Sequence, residues 1–327
     1  MPGRERLAAE LGVSGKTVDL AMGLLEKEGL LVPRGRGKRR GITAQRIAGQ
    51  PPLRLAIIPY EKADIRLNYM VDLKHQLQEA GHTAEFAGKS LVEMRMEVAR
   101  VQRLVADTEA DAWVVASGSR EVLQWFADHP QPVLAFGGRH TGIDIAAATP
   151  TKFPAYCQAI DHLVTLGHRR IVLLFRQQHR HPQPSRLAES LLRQMESHGI
   201  RVGKFNLPDW DDHPEGLLRA LDALFHRTPP TALFLDEPHL FHAARYHLAY
   251  RGVLAPDDVS LICTDPDPNF GWCLPTVSHI SWKSAPVVRS IVRWARNVSR
   301  GKDDRRKIRT RAEFVEGGTV GVAGPQS

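Results

Sequence analysis

Apolar positions along this chain change period repeatedly, and the changes predict its elements. Short apolar runs bounded by turn residues predict strands near 53–59, 83–86, 112–116, 133–136, 171–175, 232–235 and 259–264. Between and after them, apolar residues recurring at i, i+3, i+4 and i+7 predict helices near 68–80, 91–108, 119–128, 151–166, 185–198, 214–225, 238–251 and 284–299. Gly81, Gly167, Gly199 and Gly252 stand where a helix end needs a left-handed cap. Regular alternation of this kind means parallel sheets with helices on both faces, an α/β fold. The pattern restarts near residue 148, which predicts two sequential Rossmann-like lobes with the carboxyl ends of their strands around one cleft.

The amino end reads differently. Residues 3–11 form one short helix with Leu7, Ala8 and Leu11 on a face, and Ser14 caps a second in which Val18, Ala21, Met22 and Leu25 form a stripe. The three-residue turn Gly12-Val13-Ser14 makes the pair a helix-turn-helix, with Ser14, Lys16 and Thr17 in the first turn of the helix able to enter a major groove. Then come Leu30-Leu31-Val32, a basic tip at 33–40, and Gly41-Ile42: strand, hairpin tip, strand. The tip's glycines are spaced GxGxxxG with no helix following, so it is no dinucleotide loop. Residues 43–52 loosen and end in Pro51-Pro52, which places a winged head at 1–45, a linker at 46–52 and the two-lobed body at 53–327.

Charge adds a partner to this picture. The chain carries 44 Lys and Arg against 36 Asp and Glu, and residues 1–50 hold ten bases against five acids. A basic head on a nearly neutral body suits double-stranded DNA, with Arg34, Arg36, Lys38 and Arg39 of the tip on phosphates or in a minor groove. Membrane spans are excluded, because no apolar run approaches the roughly 20 residues a bilayer requires. Three cysteines, Cys157, Cys263 and Cys273, form no disulfide framework and no secretory signal precedes them, which fits the reducing cytoplasm. Cys263 and Cys273 read as small buried hydrophobes.

Residues 2–42, PGRERLAAELGVSGKTVDLAMGLLEKEGLLVPRGRGKRRGI, resemble the winged helix of GntR-type transcription regulators. The resemblance implies a phosphate contact for Arg4, a reading helix containing Ser14, Lys16 and Thr17, and a wing from Arg34 to Arg39. It also implies a first helix, which this sequence lacks, and an arginine where Asp19 stands. The stripe of Leu7, Leu11, Val18, Met22 and Leu25 needs a third surface to bury it, which leads us to expect a start site further upstream.

In the second half, AIDHLVTLGHRRIVLLF at 159–175, Arg186 opening a helix, and TALFLDEPHLFHAARYHLAYRGVLAPDDVSLICTDPD at 231–267 resemble the effector-binding domain of LacI/GalR-type repressors, a type I periplasmic-binding-protein fold. By that resemblance Arg186, Asp236 and Asp265 hold the hydroxyls of a sugar. Physically, an arginine fork and two carboxylates at strand ends match the paired donors and acceptors of a polyol, and Tyr60 or Trp272 can stack on its apolar face. Ser117, Arg139 and Arg176 occupy loop positions compatible with the same cleft. The competing reading of these charges is salt-bridge scaffolding between lobes. Asp236-Glu237 stands where Asn-Asp is usual, and Arg-Gln-Gln-His-Arg-His at 176–181 replaces small residues.

The sequence therefore predicts a ligand-responsive transcription regulator that binds operator DNA as a homodimer and a small molecule, a carbohydrate, in its cleft. No cofactor is expected, and the histidines at 179, 181, 239, 242 and 247 lack the spacing of a metal site. An enzyme is the weaker alternative, since no GxSxG elbow, P-loop or dinucleotide fingerprint occurs. A cytosolic sugar-binding module without DNA binding is the other.

Overall fold

A computed structural model of the chain describes residues 4–27, 31–32, 41–42 and 51–324. Near the amino end, α1 (Arg4–Leu11) and α2 (Gly15–Lys27) are joined by a tight turn in which Gly12 takes a positive φ of 64°. The Ser14 hydroxyl accepts from the Thr17 amide at 3.1 Å, capping α2 as its sequence predicts. Val18 and Met22 are buried against Leu7, Ala8 and Leu25, whereas Leu11, Leu20 and Leu24 remain exposed. Strands β1 (Leu31–Val32) and β2 (Gly41–Ile42) pair antiparallel, Leu31 opposite Ile42. The basic tip, with Arg34, Arg36, Lys38 and Arg39, lies outside the described residues, as does most of the linker.

The body follows in the order β3 (Arg54–Ile58), α3 (Asn68–Glu79), β4 (Thr83–Phe86), α4 (Val98–Ala106), β5 (Ala112–Ala116), α5 (Arg120–Ala127), β6 (Val133–Phe136) and β7 (Ala146–Thr151). It continues with α6 (Phe153–Thr165), β8 (Ile171–Leu174), the short α7 (Gln177–Arg180), α8 (Arg186–Ser197), α9 (Pro214–Arg227), β9 (Ala232–Leu235) and α10 (Pro238–Tyr250). Last come β10 (Ser260–Cys263), β11 (Ser278–Trp282), α11 (Ser284–Val298) and β12 (Lys307–Val315).

Strand order is β4-β3-β5-β6-β7-β12-β11-β10-β9-β8. All neighbours are parallel except β11 and β12. Each lobe buries one apolar cluster on either face of its sheet, so the strands read as continuous apolar runs.

Long strand β12 belongs to both lobes. Its residues 307–311 pair with β7 in lobe 1, and Ala312, Glu313, Phe314 and Val315 pair with Trp282, Ser281, Ile280 and His279 of β11 in lobe 2. The chain thus crosses between lobes three times, after β7, after β11 and within β12. The expectation of two sequential lobes is corrected here. Val287, Val288, Ile291, Trp294 and Ala295 of α11 pack into the lobe 1 core with Leu73 and Leu77 of α3, so the chain returns to lobe 1 after β11, and β12 then adds the last strand of the lobe 2 sheet. A second correction concerns the helix predicted at 91–108. Arg95 and Met96 adopt positive φ of 53° and 54°, which no helix accommodates, and α4 starts only at Val98. Thr151, expected to open a helix, closes β7 instead.

Candidate functional site

The carboxyl ends of strands from both lobes meet in a cleft filled with charge. Arg176 leaves β8 at its centre. Its guanidinium donates to Glu61 at 2.9 Å, to Asp212 at 3.0 Å and to Glu237 at 3.1 Å, and it lies 5.4 Å from the centre of the Tyr60 ring. Tyr60 and Glu61 follow β3 in lobe 1, whereas Arg176, Asp212 and Glu237 belong to lobe 2, so the pair with Glu61 spans the cleft. Burial disfavours the Arg176 charge, but Glu237, Asp212 and Glu61 together hold its pKa above the ordinary arginine value.

Around this cation the carboxylates are unequal. Burial pushes the Glu237 carboxyl well above its usual range despite Arg176, and burial lifts Asp64 to about 6 even though it accepts from the Glu61 amide at 3.0 Å. Asp236 is more deeply enclosed. Its carboxylate accepts from the Arg176 amide at 3.1 Å and the Thr264 hydroxyl at 2.7 Å, and these with nearby His179 outweigh burial and hold it below the usual carboxylate range. Glu237 has a positive φ of 60°, an uncommon conformation for a residue with a side chain, in the turn that aims it at Arg176.

Nearer the hinge, Lys152 pairs with Asp265 at 2.5 Å, and the Trp282 indole donates to the same carboxylate oxygen at 2.7 Å. Trp282 ends β11 and lies 5.4 Å from Tyr69 of α3, centre to centre, so this cluster touches both lobes. On another side Arg139, from the loop after β6, donates to the carbonyls of Gln178 and Gln183 in lobe 2. Its loop approaches Gly118 so closely that a Cβ on Gly138 would lie 2.6 Å from the Gly118 backbone, which explains a glycine there.

The sequence-predicted site residues are therefore partly brought together. Tyr60, Arg176 and Asp236 form one network, and Asp265 and Arg139 lie in the adjoining interlobe contacts. Ser117 sits in the turn after β5 with a φ of 51°, behind the Arg139 loop. Arg186 opens α8, exposed and with no hydrogen-bond or ion-pair partner among the described residues. Its neighbour Ser185 reaches His179 at 3.2 Å, and His179 lies 3.9 Å from Asp236. Trp272 is 90% exposed and makes no ring contact with the cleft. Ser14, Lys16 and Thr17 are exposed on α2, and Arg4 lies in α1. Cys263 is buried and Cys273 half-buried.

Glu61, Asp64, Lys152, Asp212, Glu237 and Trp282 were not foreseen. Glu61 and Glu237 stand just past strand ends, where a sheet of this class gathers its functional groups, and that rule finds both. Glu61, Glu237 and His239 also place one ligand atom each within 4.8 Å of one another. The guanidinium of Arg176 donates to both of these carboxylates and supplies the positive charge there.

Residues 160–320 match the family model of the periplasmic binding protein-like domain. No curated protein matches the sequence. The chain is similar to a solved LacI family transcriptional regulator from Enterococcus faecium with bound ribose, at 14% identity over 82% of this chain and 98% of that one, with a TM-score of 0.65. A LacI family regulator from Mycobacterium smegmatis is similar at 14% identity, 82% and 99% coverage and a TM-score of 0.69. The lac repressor dimer bound to operator and the anti-inducer ONPF is similar at 15%, 85% and 97%, and 0.67. These likenesses define the fold of the body as the two-lobed, type I periplasmic-binding-protein architecture.

Proposed function

We propose that the chain is a ligand-responsive transcription regulator, in which a winged helix-turn-helix head binds operator DNA and the body binds a small polar effector between its lobes. It is not an enzyme in this reading. The observation that carries it is the cleft itself: two lobes on three crossings, held together by side-chain bridges that a ligand can replace. An effector rich in hydroxyls, a carbohydrate, suits this chemistry, because hydroxyls donate to Asp236 and Asp265 and accept from Arg139 or Arg186 in place of the chain's own groups. The structural neighbours with bound ribose and with ONPF and operator support both halves of the reading.

For the head, the Ser14 cap and the exposed first turn of α2 support a reading helix that uses Ser14, Lys16 and Thr17, with Arg4 and the tip residues Arg34, Arg36, Lys38 and Arg39 on phosphates. One such head covers too few bases for a specific site, so the working form is a homodimer. A face suited to a second copy surrounds α10. Tyr246 and Tyr250, four residues apart, are 73% and 89% exposed, and Trp272 and Leu274 on the neighbouring loop are equally open. Arg245 ties that loop to α10 through the Leu274 carbonyl at 2.8 Å.

The test is an electrophoretic shift of the DNA upstream of the chain's own gene, with and without each sugar of a panel that raises the melting temperature of the protein. A bound ligand at a hundredfold excess over Kd stabilises by about 2.7 kcal/mol. Lys16→Ala and Arg36→Ala should weaken the shift and leave ligand stabilisation intact. Ligand stabilisation without any shift would make the chain a sugar-binding module. Turnover of a ligand would make it an enzyme.

A further inference from the structure

Charge on this chain is more segregated than its total suggests. Residues 283–311 carry eleven Lys and Arg against two acids, a surplus of nine that exceeds the surplus of eight for the whole chain. Residues 1–50 have a surplus of five, so the remaining residues are net acidic.

The fold turns that run into a surface. Because α11 gives Val287, Val288, Ile291, Val292, Trp294 and Ala295 to the core, the helical period leaves Arg289, Arg293 and Arg296 in a row on its solvent face. From Arg289 to Arg296 the row is about 10 Å long at 1.5 Å per residue, and Arg300 extends it past the helix end. No acidic residue occurs in α11, and Arg289, Arg293 and Arg296 have no ion pair or hydrogen bond among the described residues. Two bases that follow are neutralised, Arg305 by Asp303 and Asp144, and Arg306 by Asp304. Like charges four residues apart disfavour a helix, so apart from Arg296, a cation in the last turn that suits the helix dipole, the row does not stabilise the fold.

Its position is informative. The helix begins at the hinge and ends beside the point where the chain from the head enters lobe 1. There the Leu53 amide donates to His82 Nδ1 at 3.4 Å, and Arg296 lies close enough to His82 to add to burial in disfavouring its positive charge. The row therefore runs toward the attachment of the DNA-binding head.

We infer that the solvent face of α11 is a second contact for double-stranded DNA, in which Arg289, Arg293 and Arg296 take phosphates of the duplex beyond the stretch that the head covers. The inference rests on the DNA-binding reading above. Among polyanions a duplex fits best, because a membrane-binding helix inserts an apolar face beside its basic one, and the apolar face of α11 is spent on lobe 1.

The experiment uses the full chain, a labelled mixed-sequence duplex of about one and a half helical turns, another of about four, and vesicles rich in phosphatidylserine. For R289Q/R293Q/R296Q, the slope of log K against log salt on the long duplex should fall by about 2 to 3, since each neutralised phosphate contributes about 0.9. Binding to the short duplex and the melting curve should stay as in wild type. The matching triple lysine variant should retain the slope, and the single R293Q should lose about one unit. An unchanged slope on the long duplex overturns the inference, as does loss of vesicle binding with duplex binding intact. Should Lys16→Ala weaken both duplexes while the triple glutamine variant changes neither, the DNA reading stands and the second contact alone fails. If wild type binds no duplex, both fail.

Discussion

Arg176 and Glu61 meet at 2.9 Å with the arginine side chain 6% exposed, an ion pair that joins lobe 2 to lobe 1. Three further carboxylates, Asp212, Asp236 and Glu237, crowd the same arginine or its backbone, so the guanidinium offsets repulsion that would otherwise open the cleft. Arg176→Leu should therefore cost about 3–5 kcal/mol in denaturant unfolding, because it strands buried charge rather than removing a pair. Adding Glu61→Gln and Glu237→Gln to that variant should restore part of the loss. Glu61→Gln alone should loosen the lobes, read as a larger radius of gyration by small-angle scattering. A triple variant less stable than Arg176→Leu would contradict this account.

Asp64 gives the cleft a pH dependence of known sign. Its carboxyl titrates at about 6 in the fold against an ordinary 3.8, so the folded protein holds that proton more tightly than the unfolded chain. The associated stability is fully present below about pH 4 and is lost as pH rises through 6. Glu237, also raised by burial, acts in the same direction. Asp64→Asn should thus be more stable than wild type at pH 8, by the order of 1–2 kcal/mol for a half-buried group, and should lose the advantage by pH 4. Equilibrium unfolding at both pH values checks this, and a difference independent of pH would refute it.

How legible was this in the sequence? The strands that form the lobe interiors were readable almost to the residue, since a strand buried on both faces is a short apolar run such as Ala232–Leu235. The three missed strands, β7, β11 and β12, are those at the crossings between lobes. Ala146–Thr151 is small and contains Pro150, which lies past Ala148, the last residue paired with β6. In Lys307–Val315 the alternation of Ile308, Thr310, Ala312 and Phe314 is a strand signal hidden among charges. Arg176, Asp236 and Asp265 were identified as cleft residues, but their partners Lys152 and Asp212 come from distant segments with no local pattern. Averaging charge over the whole body also concealed the arginine row on α11.

Trp282 offers a reporter for ligand binding. Its indole donates to Asp265, which Lys152 also holds, and its ring lies against Tyr69 of the opposite lobe. Any effector that re-pairs Asp265 or shifts the lobes changes the surroundings of this ring. A ligand-dependent change in tryptophan fluorescence should therefore vanish in Trp282→Phe and persist in Trp125→Phe, whose ring packs on Phe126 and His129 in lobe 1. The opposite pattern would place the effector elsewhere.

The α10 face bears on assembly. Tyr246, Tyr250, Trp272 and Leu274 expose large apolar side chains on one helix and the loop tied to it, and exposed apolar surface of this size is costly in water unless covered. Tyr250 is 89% exposed and at the last residue of α10, so a charge placed there should not disturb the core. Tyr250→Asp and Trp272→Ala should each shift sedimentation from dimer toward monomer, weakening association at least tenfold, while melting of the isolated protomer is unaffected. In the proposed homodimer two heads share one operator, so the same variants should weaken operator binding more steeply than they weaken association of a single head with DNA. Sedimentation of Tyr250→Asp as an intact dimer would move the interface to another face and leave the exposed aromatics to a different partner.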